Sequence, residues 1–104
     1  MEKAHCIVNL ISEHDLDDEC ILKELNLLDA ELLVRKFEPQ GMSAILLDDH
    51  KHITIHTWPE NKAACLDIYG FENPEVILAK LILLYKPTYF ESRSVIRGSC
   101  ESSS

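Results

Sequence analysis

The residues that could do chemistry are concentrated in one stretch, residues 48–61, which reads DDHKHITIHTWPEN. His50, His52 and His56 are separated by even numbers of residues, so all three would share one face of a β-strand. Imidazoles in this arrangement, with Asp48 in the same register, could hold zinc or iron. The stretch is therefore a candidate metal site with His50, His52 and His56 as its ligands.

Lys51 offers a different chemistry, because a lysine amine among carboxylates and imidazoles can form a Schiff base with an aldehyde or a pyridoxal cofactor. The chain has three glycines and no glycine-rich loop that would hold the phosphate of such a cofactor. Strand alternation would also point Lys51 with Ile53, away from the histidines. Both observations weigh against a Schiff-base role.

Composition and charge restrict the classes of function. The chain has 104 residues, of which 46% are hydrophobic and 27% charged, as expected for one globular domain. Its net charge of −8 argues against nucleic acid as a partner, since phosphate binding requires clustered Lys and Arg. The same charge is compatible with a cationic ligand such as a sulfonium or a polyamine. With no apolar run of about eighteen residues and no signal-peptide cleavage site, we predict a cytoplasmic protein without a membrane span.

The four cysteines, Cys6, Cys20, Cys65 and Cys100, are scattered and form no Cys-x-x-Cys pair. In a chain with its own core, this spacing is typical of reduced cytosolic thiols rather than of a disulfide framework. Cys6 lies in an apolar run and is predicted to be a core residue.

Periodicity and turn signals predict the elements that must position these residues. The extended segments are AHCIVNLIS, ELLVRKFEPQG, MSAILLDDHKH, HITIHTW, ACLDIYGF and TYFESRSVIRG. Apolar residues at helical spacing predict a first helix over residues 16–27, with Ser12 or Asp15 as its N-cap. Asn73 caps a second helix that ends before Pro87.

We summarise the order as β-α-β-β-β-α-β, an α+β fold in two layers with both helices on one face of an antiparallel sheet. Residues 1–98 form a single domain, and residues 99–104 form a disordered tail without an apolar anchor. The second face of the sheet would carry His52, Thr54 and His56. We expect another copy of the chain to bury that face in a homodimer.

The stretch HITIHTWPENKAACLDIYG resembles the bacterial class of S-adenosylmethionine (AdoMet) decarboxylases, pyruvoyl enzymes of spermidine biosynthesis whose pattern is SHLTIHTWPE followed by TCG. FEPQGMS resembles the family's F-x-P-x-G-x-S, and AHCIVNL resembles its first strand. The resemblance covers nearly the whole chain. It implies the decarboxylase fold and a pyruvoyl cofactor made from a serine of the polypeptide itself.

The resemblance also implies that two reactive residues are replaced. Lys51 stands at the position of the serine that becomes the pyruvoyl group, and His50 stands at that of the preceding glutamate. Because lysine has no β-oxygen, it can neither attack the preceding carbonyl nor eliminate to a ketone, so we expect no pyruvoyl cofactor. Phe71 stands at the position of the proton-donating cysteine. Cys65, six residues earlier and hence on the same strand face, is a candidate substitute.

Other positions of the family pattern are retained. The resemblance implies that His56 and Ser43 assist processing, that Phe37 stacks on adenine, and that Glu60 holds the ribose hydroxyls, with His52 in the same ligand-binding set. Each residue also has a structural interpretation, as a core aromatic, a turn carboxylate, a strand-edge hydrogen bonder or an interface histidine.

We therefore predict a protein of polyamine metabolism with the decarboxylase fold and no cofactor of its own. One function is that of a ligand-binding or regulatory partner that binds AdoMet, a polyamine-like molecule, or an active decarboxylase chain in a hetero-oligomer. The alternative is an enzyme, with decarboxylase activity on AdoMet or chemistry on another amine substrate.

Overall fold

The computed structural model describes residues 3–14 and 16–98, which build a six-stranded antiparallel sheet and two helices. The elements are β1 Lys3–Ile11, α1 Asp18–Asn26, β2 Glu31–Lys36, β3 Met42–Asp48, β4 Lys51–Trp58, β5 Ala63–Tyr69, α2 Pro74–Tyr85 and β6 Tyr89–Arg97. A short 3-10 helix, Pro59–Asn61, joins β4 to β5. The strand order across the sheet is β2-β3-β4-β5-β1-β6, which places β4 and β5 at its centre.

The α+β class and the antiparallel sheet are confirmed, and all six predicted extended segments form strands, but the summarised order β-α-β-β-β-α-β is one strand short. Four strands, β2 to β5, lie between the two helices. The loop at residues 37–41, which contains the cis peptide Glu38–Pro39, separates ELLVRK from the next strand, and the two then pair side by side. The predicted tail at residues 99–104, including Cys100, lies outside the described residues.

The helices begin and end close to their predicted bounds. Asp17, rather than Ser12, caps α1 by accepting a hydrogen bond of 3.1 Å from the backbone N–H of Cys20, while Asp15 lies outside the described residues. Asn73 occupies the N-cap position of α2, but its side chain makes no capping hydrogen bond. Lys86 ends α2 in the left-handed conformation, just before Pro87. Neither helix of the described ranges is long and apolar enough to cross a membrane.

Alternating residues of the central strands form the core beneath the helices. Val8, Ile53, Ile55 and Ile68 are fully buried, and Cys6 is buried as predicted. The helices contribute Ile21, Leu22, Leu25, Leu81 and Tyr85 to the same cluster. Complete burial of an aliphatic side chain of this size contributes about 1.5–3 kcal/mol, so this layer accounts for much of the stability of the fold.

The sheet face away from the helices is called the open face, and it carries the other set of alternating residues. On β4 these are His52, Thr54 and His56, as predicted from the strand period, together with Trp58. Several large apolar side chains of this face are exposed: Ile7, Ile11, Leu33, Ile45, Leu47, Trp58, Tyr89 and Val95. The edge strand β6 is exposed along all nine of its residues.

Candidate functional site

Strand β4 presents two sets of side chains, as expected, but its first residue is Lys51 and not His50. His50 lies with Asp49 in the two-residue turn of the β3–β4 hairpin, because Asp48 pairs directly with Lys51. Asp49 has a φ of 52°, the left-handed conformation that such a turn requires. The prediction that His50 shares the face of His52 and His56 is therefore wrong.

The metal site predicted from these histidines is not assembled. Asp48 alternates with Leu46 on the helix side of β3, so its carboxylate faces away from His52 and His56. Within residues 3–14 and 16–98, no group of three or more His, Cys, Asp or Glu side chains is placed to hold a metal ion. The turn at His50 and the alternation at Asp48 explain why the ligands do not converge.

Phe37, Ser43, His56 and Glu60 converge at the other end of β4, around a surface depression that we call the groove, whereas His52 does not line it. It has a volume of about 600 Å³ and is lined by Phe37, Glu38, Pro39, Gln40, Met42, Ser43, His56, Thr57, Trp58 and Glu60. A second depression, of about 510 Å³, continues from it along β2 and β3 and shares Phe37, Ser43 and His56. Four residues that are far apart in the sequence thus border one site large enough for a nucleoside.

Two contacts fix the geometry of the groove. Ser43 and His56 are paired across β3 and β4, and Ser43 Oγ lies 2.7 Å from His56 Nδ1. The backbone N–H of Phe37 donates a hydrogen bond of 2.9 Å to the carbonyl of Gly41, which closes the loop that carries the aromatic ring. Gly41 has a φ of 101°, and a Cβ there would lie 3.1 Å from the carbonyl oxygen of Thr57, so the loop needs glycine.

Lys51 and Phe71, the two replaced positions, lie next to each other at the opposite end of β4. Lys51 Nζ is 5.5 Å from the centroid of the Phe71 ring and 3.5 Å from Asp48 Oδ2. As predicted, Lys51 points to the helix side with Ile53. The contact explains how the first residue of β4 and a residue after β5 could serve one reaction in related chains.

The groove and the Lys51–Phe71 contact are separated along β4. Lys51 and His56 are five residues apart along β4, which at about 3.3 Å per residue separates their α-carbons by about 16 Å. The depression at the Lys51 end, of about 410 Å³, has a different lining: Lys3, Asp49, His50, Lys51, Gly70, Phe71 and Glu72. A single chain therefore does not bring its two groups of site residues together.

The match to a known protein family covers most of the chain. The model of the family described as S-adenosylmethionine decarboxylase matches residues 5–98. The chain belongs to the S-adenosylmethionine decarboxylase family. The match includes both ends of β4 and both helices.

Similar proteins carry the name S-adenosylmethionine decarboxylase proenzyme. The protein from Pyrococcus horikoshii is 31% identical over 104 residues, covering 94% of this chain and 75% of its own length. That from Clostridium botulinum is 34% identical over 91 residues, covering 80% and 77%. That from Synechococcus sp. (strain WH7803) is 36% identical over 79 residues, covering 66% of this chain. The alignment spans only 62% of the Synechococcus protein, so this chain matches part of that relative.

Solved structures of the family have the same fold. The adenosylmethionine decarboxylase from Aquifex aeolicus VF5 superposes with a TM-score of 0.76, covering 98% of this chain and 95% of that one at 23% identity. The AdoMetDC-delta26 monomer of Trypanosoma brucei superposes with a TM-score of 0.66, covering 88% of this chain and 44% of that one at 15% identity. These likenesses confirm the predicted decarboxylase fold.

Cys65 lies on a different face from Phe71, which stands at the position of the family's cysteine. It lies on the open face opposite His56, and its thiol is 3.0 Å from Asn9 Oδ1. Burial, together with the nearby Asp67 carboxylate, raises the pKa of the Cys65 thiol. Phe71 packs instead against the core on the helix side, because Gly70, with a φ of 87°, breaks the strand alternation after β5. The prediction that Cys65 and Phe71 share a face is wrong.

An aromatic and histidine cluster around His52 was missed by the sequence analysis. His52 stacks on Tyr69 with a centroid distance of 5.3 Å, and His5 packs edge-on against Tyr69 at 5.6 Å. Asp67 and Arg97 border the cluster, at 3.9 Å from His5 Nε2 and 3.2 Å from His5 Nδ1. Burial, followed by the effect of His5, lowers the pKa of His52. Only the pairing of β1, β4, β5 and β6 brings these residues together.

Proposed function

We propose that this chain is a member of the S-adenosylmethionine decarboxylase family that does not cleave itself and acts as a ligand-binding or regulatory subunit in polyamine metabolism, in the cytoplasm. The single observation that carries the proposal is the contact between Lys51 and Phe71. Two side chains without the reactive oxygen and sulfur of the family pattern meet where that pattern places its serine and cysteine.

The chemistry of cofactor formation supports the proposal. Making a pyruvoyl group requires a side-chain oxygen on residue 51 that attacks the carbonyl carbon of residue 50 and then leaves by β-elimination. Lys51 has only methylene carbons near its backbone, and its amine lies 5.5 Å from the Phe71 centroid. Phenylalanine has no exchangeable proton to donate to a decarboxylated intermediate. Both steps of the family reaction therefore lack their reagent in this chain.

The groove supports binding of an AdoMet-type ligand. An exposed aromatic ring, a carboxylate and an imidazole are the groups expected around adenine, ribose hydroxyls and a polar substituent, and Phe37, Glu60 and His56 supply them. Phe37 is 46% exposed, so its ring is available for stacking. The overall charge of −8 also favours a ligand that carries a sulfonium cation.

The separation of the two site regions supports an oligomer. A two-fold rotation that stacks the open faces of two chains near the middle of β4 brings the groove of one chain toward the Lys51 end of the other. In a homodimer, each groove would face the Lys51 end of the partner's β4, while the Lys51 and Phe71 side chains lie on the helix side of the sheet. In a hetero-oligomer with an active decarboxylase chain, the pyruvoyl group of that chain would face the groove of this one. Exposed Ile45, Leu47 and Trp58 give the open face the apolar surface that such an interface buries.

Intact mass and a denaturing gel test the absence of self-processing. We expect a single uncleaved chain of 11.9 kDa. Two fragments divided between His50 and Lys51, the second with a blocked terminus, would overturn the proposal and favour an active decarboxylase.

Ligand binding is tested by thermal shift and calorimetry with AdoMet, decarboxylated AdoMet, putrescine and spermidine. A ligand at a hundredfold excess over its dissociation constant adds about 2.7 kcal/mol to the free energy of unfolding. We expect stabilisation by AdoMet that is lost in Phe37→Ala and Glu60→Gln and kept in Glu72→Gln at the other end of β4. Equal stabilisation of all three variants would exclude the groove as the site.

Partner binding is tested by co-expressing a tagged copy of this chain with a processed decarboxylase of the family from the same genome. We expect the two chains to purify together, and Ile45→Glu on the open face to prevent it. Purification of the tagged chain alone, with no gain in the partner's activity, would restrict the proposal to a homo-oligomer.

A further inference from the structure

The β3–β4 turn and the β5–α2 connection are in direct backbone contact. Gly70 has a φ of 87°, and a Cβ at this position would lie 2.8 Å from the carbonyl oxygen of His50 and 3.2 Å from the Cα of Lys51. Any other residue at position 70 would push the two segments apart. The site of the two replacements is therefore a junction between segments that are distant in sequence.

Side chains cross the same junction. Lys51, from the turn side, extends its ammonium group to 5.5 Å from the centroid of the Phe71 ring. This distance is within the range of about 6 Å at which a cation is attracted to the face of an aromatic ring. Asp48, the residue paired with Lys51 in the hairpin, lies 3.5 Å from the same ammonium group. Phe71 packs in turn against the core.

We propose that Lys51 and Phe71 form a cation–π clamp, braced by Asp48, that fastens the β3–β4 turn to the β5–α2 connection. The two side chains then act as one structural unit, so that replacing either one removes the partner of the other. At the two positions where the family pattern places reactive side chains, this chain has a structural contact. It requires neither a ligand nor a partner chain, so its tests can be made on this chain alone.

The unaltered protein provides the first test. Protons held over an aromatic face are shifted upfield, so the ε-methylene protons of Lys51 should resonate upfield of those of the other lysines in an NMR spectrum. Phe71→Leu should return them to the common position, whereas Asp48→Asn should leave the shift in place. Coincidence of the Lys51 signals with those of the other lysines in the unaltered protein would overturn the clamp, even if no variant folds.

A double-mutant cycle measures the coupling. Lys51→Met removes the charge and keeps the length of the side chain, and Phe71→Leu removes the ring and keeps an apolar group. In urea titrations, Lys51→Met should raise the unfolding equilibrium constant about threefold to fivefold more in the presence of Phe71 than in the F71L chain.

Lys62→Met is the matched control, because Lys62 precedes β5 whereas Phe71 follows it. Its effect on the unfolding constant should be the same with and without Phe71→Leu. Additive effects of Lys51→Met and Phe71→Leu, within the error shown by this control, would refute the coupling.

Discussion

Ser43 and His56 lie directly opposite each other on β3 and β4 and share a hydrogen bond of 2.7 Å at the open face. Since His56 Nδ1 is engaged by the serine, the hydrogen bond sets the plane of the imidazole ring and leaves Nε2 for other partners. The orientation of His56 in the groove is thus fixed before any ligand binds.

Ser43→Ala should weaken binding of an AdoMet-type ligand about fivefold, because a hydrogen bond of this kind contributes about 1 kcal/mol to the orientation of His56. Calorimetric titration measures the change. Ser92→Ala, on the exposed edge strand β6, is the matched control and should leave the affinity unchanged. An equal loss in both variants would show that Ser43 has no special role.

Lys51→Ser should not restore self-cleavage, because His50 and Phe71 would still be foreign to the reaction of the family. Intact mass after prolonged incubation measures the outcome, with a family proenzyme that cleaves itself as the positive control. Appearance of two fragments in the Lys51→Ser chain would contradict this expectation.

Ile45 should contribute apolar contact area to a homodimer that buries the open face. Ile45→Glu places a charge on that face, on strand β3 next to the central β4, and should give a monomer in sedimentation experiments. Leu83→Glu is the matched control, because Leu83 lies on α2 and is already 73% exposed. A monomeric unaltered protein at all practical concentrations would exclude this dimer.

Asp18 should make the stability decrease as the pH rises from acid toward neutral. Its Oδ2 accepts a hydrogen bond of 3.1 Å from Thr57 Oγ1, while its Oδ1 is buried without a partner among the described residues. Burial raises the pKa of this carboxyl above 3.8, so the folded state binds its proton more tightly than the unfolded state does. The contribution of Asp18 to the stability is therefore largest below about pH 3.8 and is lost as the pH rises through its folded-state pKa.

Urea midpoints of the unaltered protein and Asp18→Asn, measured between pH 3.5 and about 7, test this dependence. The asparagine variant should gain stability relative to the unaltered protein as the pH rises. Asp29→Asn, at an exposed position, should follow the unaltered protein. A constant difference between the Asp18→Asn and unaltered curves would refute the assignment.

His52 should have the opposite effect, so that its contribution to the stability decreases as the pH falls. Because burial and His5 lower the pKa of His52 below 6.5, the folded state binds its proton less tightly than the unfolded state does. The contribution of His52 to the stability is present above pH 6.5 and is lost as the pH falls through its lower folded-state pKa. His52→Gln should flatten a plot of melting temperature against pH in this window, whereas His14→Gln should not.

Local patterns were sufficient to predict the main elements and the division of β4 into two faces. The apolar alternation at Ile53 and Ile55 placed Lys51 on the helix side, where it is found. Two predictions of which face a side chain occupies were wrong, and in each case a residue with a positive φ interrupts the strand alternation. Asp49 moved His50 into a turn, and Gly70 moved Phe71 away from the face of Cys65.

Contacts between distant strands could not be read from local patterns. His5 and Tyr69 are brought into register by the β1–β5 pairing, across more than half of the chain. The convergence of Phe37 and Glu60 on one groove was implied only by the family resemblance. Sequence periodicity specifies which face a residue occupies, whereas its neighbours depend on the pairing of whole strands.

The strand β6 has a consequence for the handling of the protein. Among the described residues it pairs only with β1, so its outer backbone groups are available to a further strand, and Phe90 and Ile96 add apolar surface beside them. Arg93 and Arg97 oppose the addition of another copy of β6 at this edge, because their like charges would then lie next to each other. High salt would screen that repulsion, so concentrated stocks should be kept at low ionic strength to avoid edge-to-edge aggregation.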